Sequence, residues 1–494
     1  MAQYMYEPLS AQDHSFLVME TPSLHMHVAS TQLFELGPLA SAEGGVDFAR
    51  IKRFIGSVLH RIPRYRQKLH FVPIFETPVW VDDDEFSLDF HVRHTALPKP
   101  GSDGQLRQLA ARIMAQPLDR TRPLWEIWVV EGLSEGRFAL VSKIHHCMID
   151  GSSGVDISQI LQSRTPERRI GEAPPFVPRP TPSPGELFGY ALRWRAGLPL
   201  RALRGLREFR RETEDAWGEV RLRLRVLARM LTEQYGRASE SPINGRVGPH
   251  RTFGWVDMDL AELRAARRVF GCTLNDLVLC IVTGAFRDYL RLRGVRPEDL
   301  EFRIQAPVSV RSEDEKGRLG NRVSGWVVTL PLGEEDPRLQ LAAIQETTRD
   351  LKESKQALGV EMMMAAMGEM PTALLSLGMQ AASGTINSIV TNVPGPQFPL
   401  YLQGARMQAL YPQVPLLQNL GLGIALISYD GQVCWGFNAD PKLVPDLEVF
   451  VAAIRSSEAR VLALARPEPA SEPLAPHEAA RSRSGGSAPP ARSG

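Results

Sequence analysis

The stretch His145-His146-Cys147-Met148-Ile149-Asp150-Gly151 gathers two imidazoles, a thiol and a carboxylate within seven residues. Three chemistries use such groups. A metal centre would need converging side chains, yet neighbours on an extended strand point to opposite faces, unlike histidines one helical turn apart. A Cys–His nucleophile would need a neighbouring imidazole folded back onto the Cys147 sulfur. A general base asks least of the geometry: one histidine faces a cavity, the other faces the core, and Asp150 organises the turn. An imidazole titrates around 6.5 when unperturbed, so it is largely neutral at working pH. It can take a proton from an attacking alcohol and return it to a leaving group. Asp150 has two roles open to it: aligning an imidazole, or pairing with an arginine and capping the next helix. Gly151 fits a turn with unusual backbone angles. Taken alone, such a string is more often a pair of core histidines.

The elements around it are legible. Trp125 to Asp150 reads as two strands joined by a turn bounded by Gly132 and Gly136. On the second strand Phe138, Leu140, Ser142 and Ile144 share one face, and Ala139, Val141, Lys143 and His145 share the other. Ser152 and Ser153 are placed to cap a helix through Ile157 and Ile160. His145 and His146 therefore sit where a strand ends, at the rim of a sheet, where sites are commonly built.

Residues 164–185 are too rich in proline for regular structure and predict an interdomain linker. From Glu186 to Tyr235 the chain is helix-compatible, with arginines interleaved among Leu, Trp and Phe and a break at Pro199. This is either a solvated helix pair or a basic amphipathic helix on an anionic membrane surface. A second α/β half begins near Thr252. The stretch GCTLNDLVLCIVTGAFRDYLRLRG, residues 271–294, predicts a helix with Thr273 as N-cap, Asp276 three residues on and Gly294 as the stop. Strands are expected at FGWVDMDL, EFRIQAPVSV, GWVVTLPL, TINSIVTNV, GLGIALISY and QVCWGFNA, the last two joined by an Asp430-Gly431 hairpin turn. Residues 338–380 are expected to be helical. Their Met362, Met363, Met364, Met367 and Met370 are either core or the lining of a lipid tunnel. The domain reading is 1–165, 166–245, 246–465, and a disordered tail over 466–494.

Composition sets outer limits. A chain of 494 residues with 43% hydrophobic and 23% charged residues is globular, and large enough for two domains. A net charge of +1 gives no support to a nucleic-acid partner. The first residues predict no secretory signal, and no run of roughly 18 apolar residues predicts a spanning helix. Four scattered cysteines, Cys147, Cys272, Cys280 and Cys434, fit neither a zinc knuckle nor a disulfide scaffold. The expectation is a cytoplasmic protein with no metal and no permanently bound cofactor.

HHCMIDG resembles the HHxxxDG signature of the acyl-CoA-dependent acyltransferase superfamily, which includes chloramphenicol acetyltransferase and the condensation domains of peptide synthetases. PLSAQDHSFL near residue 8, RPLWEIWVVEGL from Arg122, LNDLVLCIV from Leu274, APVSVR at 306–311, GNRVS at 320–324 and TNVPGP at 391–396 narrow it. Together they resemble the bacterial wax ester synthase/diacylglycerol acyltransferase family over nearly the whole chain to about residue 460.

The resemblance implies an α/β fold of two chloramphenicol-acetyltransferase-like domains with mixed sheets, flanking helices and an active-site channel between them. It implies acyl-CoA as co-substrate, diacylglycerol or a fatty alcohol as acceptor, and peripheral attachment to the inner membrane surface or lipid bodies. The family's base falls on His146, with His145 supporting it. Its ND pair falls on Asn275 and Asp276. An amide in the first turn of a helix could donate to an oxyanion, or simply make a local helix-start bond. Pro394-Gly395-Pro396 is expected to shape the wall of the site. A condensation-type enzyme would lack the ND and TNVPGP strings. A non-catalytic lipid-surface protein of the same fold would have no use for an intact HHCMIDG.

Overall fold

The computed structural model describes residues 6–74, 76–148, 160–196, 238–309, 323–353, 384–466 and Gly494. The N-terminal half runs β1 (Glu7–Pro8), α1 (Ala11–Met19), β2 (His27–Glu35), α2 (Phe48–Val58), β3 (Gln67–Phe71), β4 (Pro78–Asp82), α3 (Leu88–His91), β5 (Val92–Ala96), α4 (Asp103–Ala115), β6 (Trp125–Leu133) and β7 (Arg137–His145). After α5 (Pro184–Ala196) come β8 (Thr252–Asp259), α6 (Leu260–Val269), α7 (Leu274–Leu292), β9 (Phe302–Ser309), β10 (Val323–Leu330) and α8 (Pro337–Glu353). The chain closes with β11 (Ser388–Val393), β12 (Tyr401–Leu402), β13 (Ala405–Gln413), β14 (Leu422–Tyr429), β15 (Gln432–Ala439) and α9 (Leu447–Ala465).

Two six-stranded mixed sheets carry the fold, ordered β12-β13-β2-β7-β6-β5 and β10-β9-β11-β14-β15-β8, beside a small sheet β1-β4-β3. The expected β6–β7 hairpin is present, and Gly132 and Gly136 take positive φ of 77° and 63°. The alternation along β7 buries both faces. Phe138 and Leu140 enter one core, and Ala139 and Val141 enter another. Lys143, on the second face, is buried, and its Nζ donates to the Ile113 and Gln116 carbonyls at the C-terminal end of α4. A cation satisfying the last carbonyls of a helix suits both their hydrogen bonding and the helix dipole.

In the second half α7 has the expected capping box between Thr273 and Asp276, with Gly294 at φ 73° just beyond its end. Asp430 and Gly431 form the β14–β15 turn with φ of 43° and 86°. The two halves are not sequential modules. β12 and β13 leave the C-terminal half and complete the sheet of the N-terminal half by pairing β13 with β2. β13 also passes close over β15. A Cβ built on Gly436 would lie 1.8 Å from the Pro412 carbonyl oxygen, so only glycine fits.

Residues 164–183 form neither helix nor strand beyond the Ser163 bridge, as their prolines predict, yet they are fastened rather than free. Arg50 donates to the Arg168 carbonyl and Gln403 to the Arg169 carbonyl. Arg66 stacks on Phe176, and Arg179 pairs with Asp82. The strap delivers α5 to the small sheet, where Leu187 and Ala191 pack on Val72, Val79 and Val81. The helix expected after Ser152 and Ser153, the arginine-rich chain from 197, the methionine cluster and the tail lie outside the described residues, Ile160, Arg466 and Gly494 excepted. Among the described residues no single helix is long and apolar enough to cross a membrane.

Candidate active site

The site begins at the end of β7. His27 of β2 stands opposite His145 in the antiparallel register, and after His145 the chain turns into one short 3-10 turn, His146–Met148. The change of backbone separates the two imidazoles. His145 is buried against Glu20, whereas the ring of His146, half-buried, stacks on Phe16 with centroids 4.0 Å apart.

Both neighbours come from α1 and the residue that ends it. Ser10 caps this helix by accepting from the Asp13 N–H. Phe16 then projects onto His146, and Glu20 follows as the C-cap. One carboxylate oxygen of Glu20 accepts the Met26 N–H at 2.8 Å and lies 3.1 Å from Nε2 of His145. The other accepts from Arg120 at 2.5 Å. The Met26 carbonyl accepts the His146 N–H at 2.7 Å, so a short segment of chain ties both histidines to α1.

The tautomer of His145 follows from its partners. Its Nδ1 accepts the Cys147 N–H at 3.1 Å, so the neutral ring carries its proton on Nε2, facing Glu20. Burial pushes the Glu20 carboxyl up. The His145 contact, then Arg120 and His27, outweigh it and hold the group down at about 2. For His146, burial lowers the pKa to about 4, opposed by its own backbone and assisted by the adjacent His145. Its Nδ1 is buried without a hydrogen-bond partner among the described residues other than that backbone. His146 is therefore a neutral imidazole at pH 7.

The Cys–His alternative loses its ground. The Cys147 thiol is buried and its pKa is pushed well up by that burial, so the thiolate needed for attack is scarce. It is the backbone N–H of Cys147, not its sulfur, that meets an imidazole.

Asn275 and Asp276 part company. Asp276 is buried with both oxygens occupied: one accepts the Thr273 N–H at 2.9 Å, the other the Thr348 hydroxyl of α8 at 3.0 Å. It fastens the start of α7. Asn275 is half-buried in the same turn and stays outside the capping box. None of the hydrogen bonds or ion pairs of the described residues links either one to His145 or His146. Asp150 and Gly151 lie outside the described residues. The Pro394-Gly395 turn rests on β14, where the Gly395 N–H donates to the Ser428 hydroxyl at 3.1 Å.

Glu20, His27 and Arg120 have no place in the sequence reading, and Phe16 enters it only as part of PLSAQDHSFL. The alternation of His25 and His27 at a strand start is the one local signal. With Glu20, Arg120 and His145 these two histidines line an open pocket of about 280 Å³, whose walls also include Pro22, Pro117, Leu118 and Leu124.

The wax ester synthase/diacylglycerol acyltransferase catalytic domain matches residues 9–278, and the C-terminal domain of the same family matches residues 319–459. A protein of Mycobacterium bovis named as a diacylglycerol O-acyltransferase is 30% identical, over 93% of this chain and 96% of its own length. One of Mycobacterium tuberculosis is 31% identical over 89% of this chain and 87% of its own. Among solved structures, the wax ester synthase/diacylglycerol acyltransferase of Marinobacter aquaeolei VT8 superposes with a TM-score of 0.65 at 24% identity, covering 93% of this chain and 99% of that one. The first condensation domain of the calcium-dependent antibiotic synthetase shares the fold at a TM-score of 0.57 and 15% identity, covering 93% and 96%. The chain belongs to the wax ester synthase/diacylglycerol acyltransferase family of acyltransferases.

Proposed function

We propose that the protein moves a long-chain acyl group from acyl-CoA to the hydroxyl of diacylglycerol or of a long-chain fatty alcohol, with His146 as general base. The observation that carries this reading is the setting of His146: its ring stacks on Phe16 at the end of a central strand, and burial keeps it neutral. Neutral His146 takes the acceptor's hydroxyl proton as its oxygen bonds to the thioester carbonyl carbon. A base held near 4 is weak in the free enzyme, but the oxyanion that forms beside the new imidazolium offsets the cost of charging it. The amide of Asn275, which makes no hydrogen bond among the described residues, is the candidate donor to that oxyanion. Collapse breaks the C–S bond, and the departing CoA thiolate takes the proton from His146. Transfer is direct, in a ternary complex, without an acyl-enzyme.

His145 acts at one remove: Glu20 and the Cys147 N–H fix its ring, and the following turn presents His146. Asp150 and Gly151 are assigned to the loop that follows. Acyl-CoA is a co-substrate rather than a resident cofactor, and no metal takes part. The enzyme works in the cytoplasm, at the inner membrane surface or on lipid bodies, where its acceptors reside.

The test is thiol release from palmitoyl-CoA by the protein and its His146→Ala variant, with hexadecanol or dipalmitoylglycerol as acceptor. Release that requires an acceptor and disappears in the variant supports the reading, and the better acceptor names the product. Release without acceptor would make the protein a thioesterase. Stoichiometric labelling of the protein by acyl-CoA alone would refute direct transfer.

A further inference from the structure

The β3–β4 hairpin ends in Val72-Pro73-Ile74-Phe75-Glu76-Thr77, an unusual composition for a turn. Hairpin tips ordinarily use Gly, Asn or Asp, which accept positive φ and welcome water. Here Ile74 takes φ 70°, a conformation that a β-branched side chain adopts at a cost, and is 82% exposed. Phe71, the last residue of β3, is also exposed. Single exposed apolar residues are ordinary on protein surfaces. What sets this pair apart is its position at a projecting tip, where a polar residue would fit the backbone better.

The tip has a firm base. Val72 turns inward to join Val79 and Val81 against Leu187 and Ala191 of α5, and the Tyr6 hydroxyl donates to the Glu186 carbonyl. The helix seated on this base leads into a strongly basic sequence: residues 193–211 hold seven arginines and one acidic residue.

We propose that the tip of the β3–β4 hairpin, led by Ile74 and Phe71, inserts into the surface of an anionic phospholipid bilayer and holds the enzyme against it. The proposal rests on the reading that the acceptor is drawn from a lipid phase. Aromatic and aliphatic side chains settle at the boundary of headgroups and acyl chains, while basic charge selects anionic lipid.

The experiment is cosedimentation of the full chain with sucrose-loaded vesicles of phosphatidylcholine, alone or mixed equally with phosphatidylglycerol, at low and high salt. The variant is Phe71→Ser/Ile74→Asn. Asparagine suits the positive φ, so the thermal midpoint should hold or rise. Wild type should bind the mixed vesicles, and the variant should partition at least about tenfold less, most visibly in high salt where the charge term is screened. Turnover of detergent-dispersed dipalmitoylglycerol should be the same for both. Equal partitioning of the two proteins would overturn the proposal. So would a wild-type dimer that the variant converts to monomer with vesicle binding unchanged. Turnover in detergent by a wild type that binds neither vesicle would leave the acyltransferase reading standing and sink the docking surface. Vesicle binding lost in the variant, with no turnover by either protein, would support the docking surface and sink the acyltransferase reading.

Discussion

Oε1 of Glu20 lies 3.1 Å from Nε2 of His145, while the other ring nitrogen of His145 accepts the Cys147 N–H. Each partner makes the other useful. The carboxylate keeps the proton on Nε2, which leaves Nδ1 free to hold the turn in which His146 sits. Glu20→Gln preserves the size and an acceptor for the Met26 N–H but removes the charge. Acyl transfer should fall by about 10–100-fold through kcat, as when a group that orients a functional ligand is lost, with KM for acyl-CoA little changed. An unchanged kcat would show that the pair serves packing alone.

Removing the histidines one at a time should separate chemistry from structure. His146→Ala loses a stacking partner of Phe16 worth about 1 kcal/mol and should fold normally. Its rate should drop by about 10²–10⁴-fold. His145→Ala leaves Glu20, still bonded to Arg120 and to the Met26 N–H, without its imidazole partner, and should cost about 1–3 kcal/mol in urea unfolding. If the two variants lose activity and stability alike, His146 has no special place.

The acid limb of activity is set by His146. Its folded pKa of about 4 lies below the usual 6.5, so kcat/KM should hold down to about pH 4 and then decline. Because the folded pKa is depressed, stability is fully present above 6.5 and falls as pH drops from 6.5 toward 4, where the unfolded chain binds the proton first. Glu20 adds a second loss between its unfolded value and about 2. Phe16→Ala admits water to the ring, and should move the limb of kcat/KM upward toward 6.5. A limb that stays put would show that Phe16 does not shield the imidazole.

Lys143 makes the opposite end of the pH range informative. Burial lowers its pKa to about 8 despite Glu126 nearby. Stability should therefore climb between pH 8 and 10.5, as the unfolded chain releases a proton that the folded one no longer holds. Lys143→Met should abolish that climb in denaturant titrations. At pH 7 it should cost about 1–3 kcal/mol, since two carbonyls at the end of α4 lose their donor. A climb that persists in the variant must come from another group.

What was readable along the chain was local. The turn glycines at 132 and 136, the strict alternation of β7 and the capping box of α7 are each written within a few residues, and each is present. That placed His145 and His146 at a strand end. What they touch was not readable: Phe16 and Glu20 arrive from a helix more than 120 residues earlier, and no spacing rule links them. Asp276 shows the converse. Its motif suggested the site, but its two oxygens are consumed by a helix cap and by Thr348. The pairing of β13 with β2 was likewise hidden, because alternation tells which face is buried and not which sheet a strand joins.

That crossing gives the sharpest mechanical test. Gly436 of β15 faces backbone, the Pro412 carbonyl of β13, so an added methyl group cannot be accommodated by a side-chain rotation. In Gly436→Ala the strands must part, at a cost of at least about 2 kcal/mol. β13 pairs with β2, and β2 pairs with β7, so a shift of β13 is passed along the sheet toward His146. Activity should fall at temperatures where the variant is still folded. Gly37, with nothing within 4 Å of its Cβ position, supplies the control: Gly37→Ala should alter neither quantity appreciably. Urea midpoints and turnover at low temperature decide the matter. If Gly436→Ala matches the control in both, the two sheets are not mechanically joined through β13.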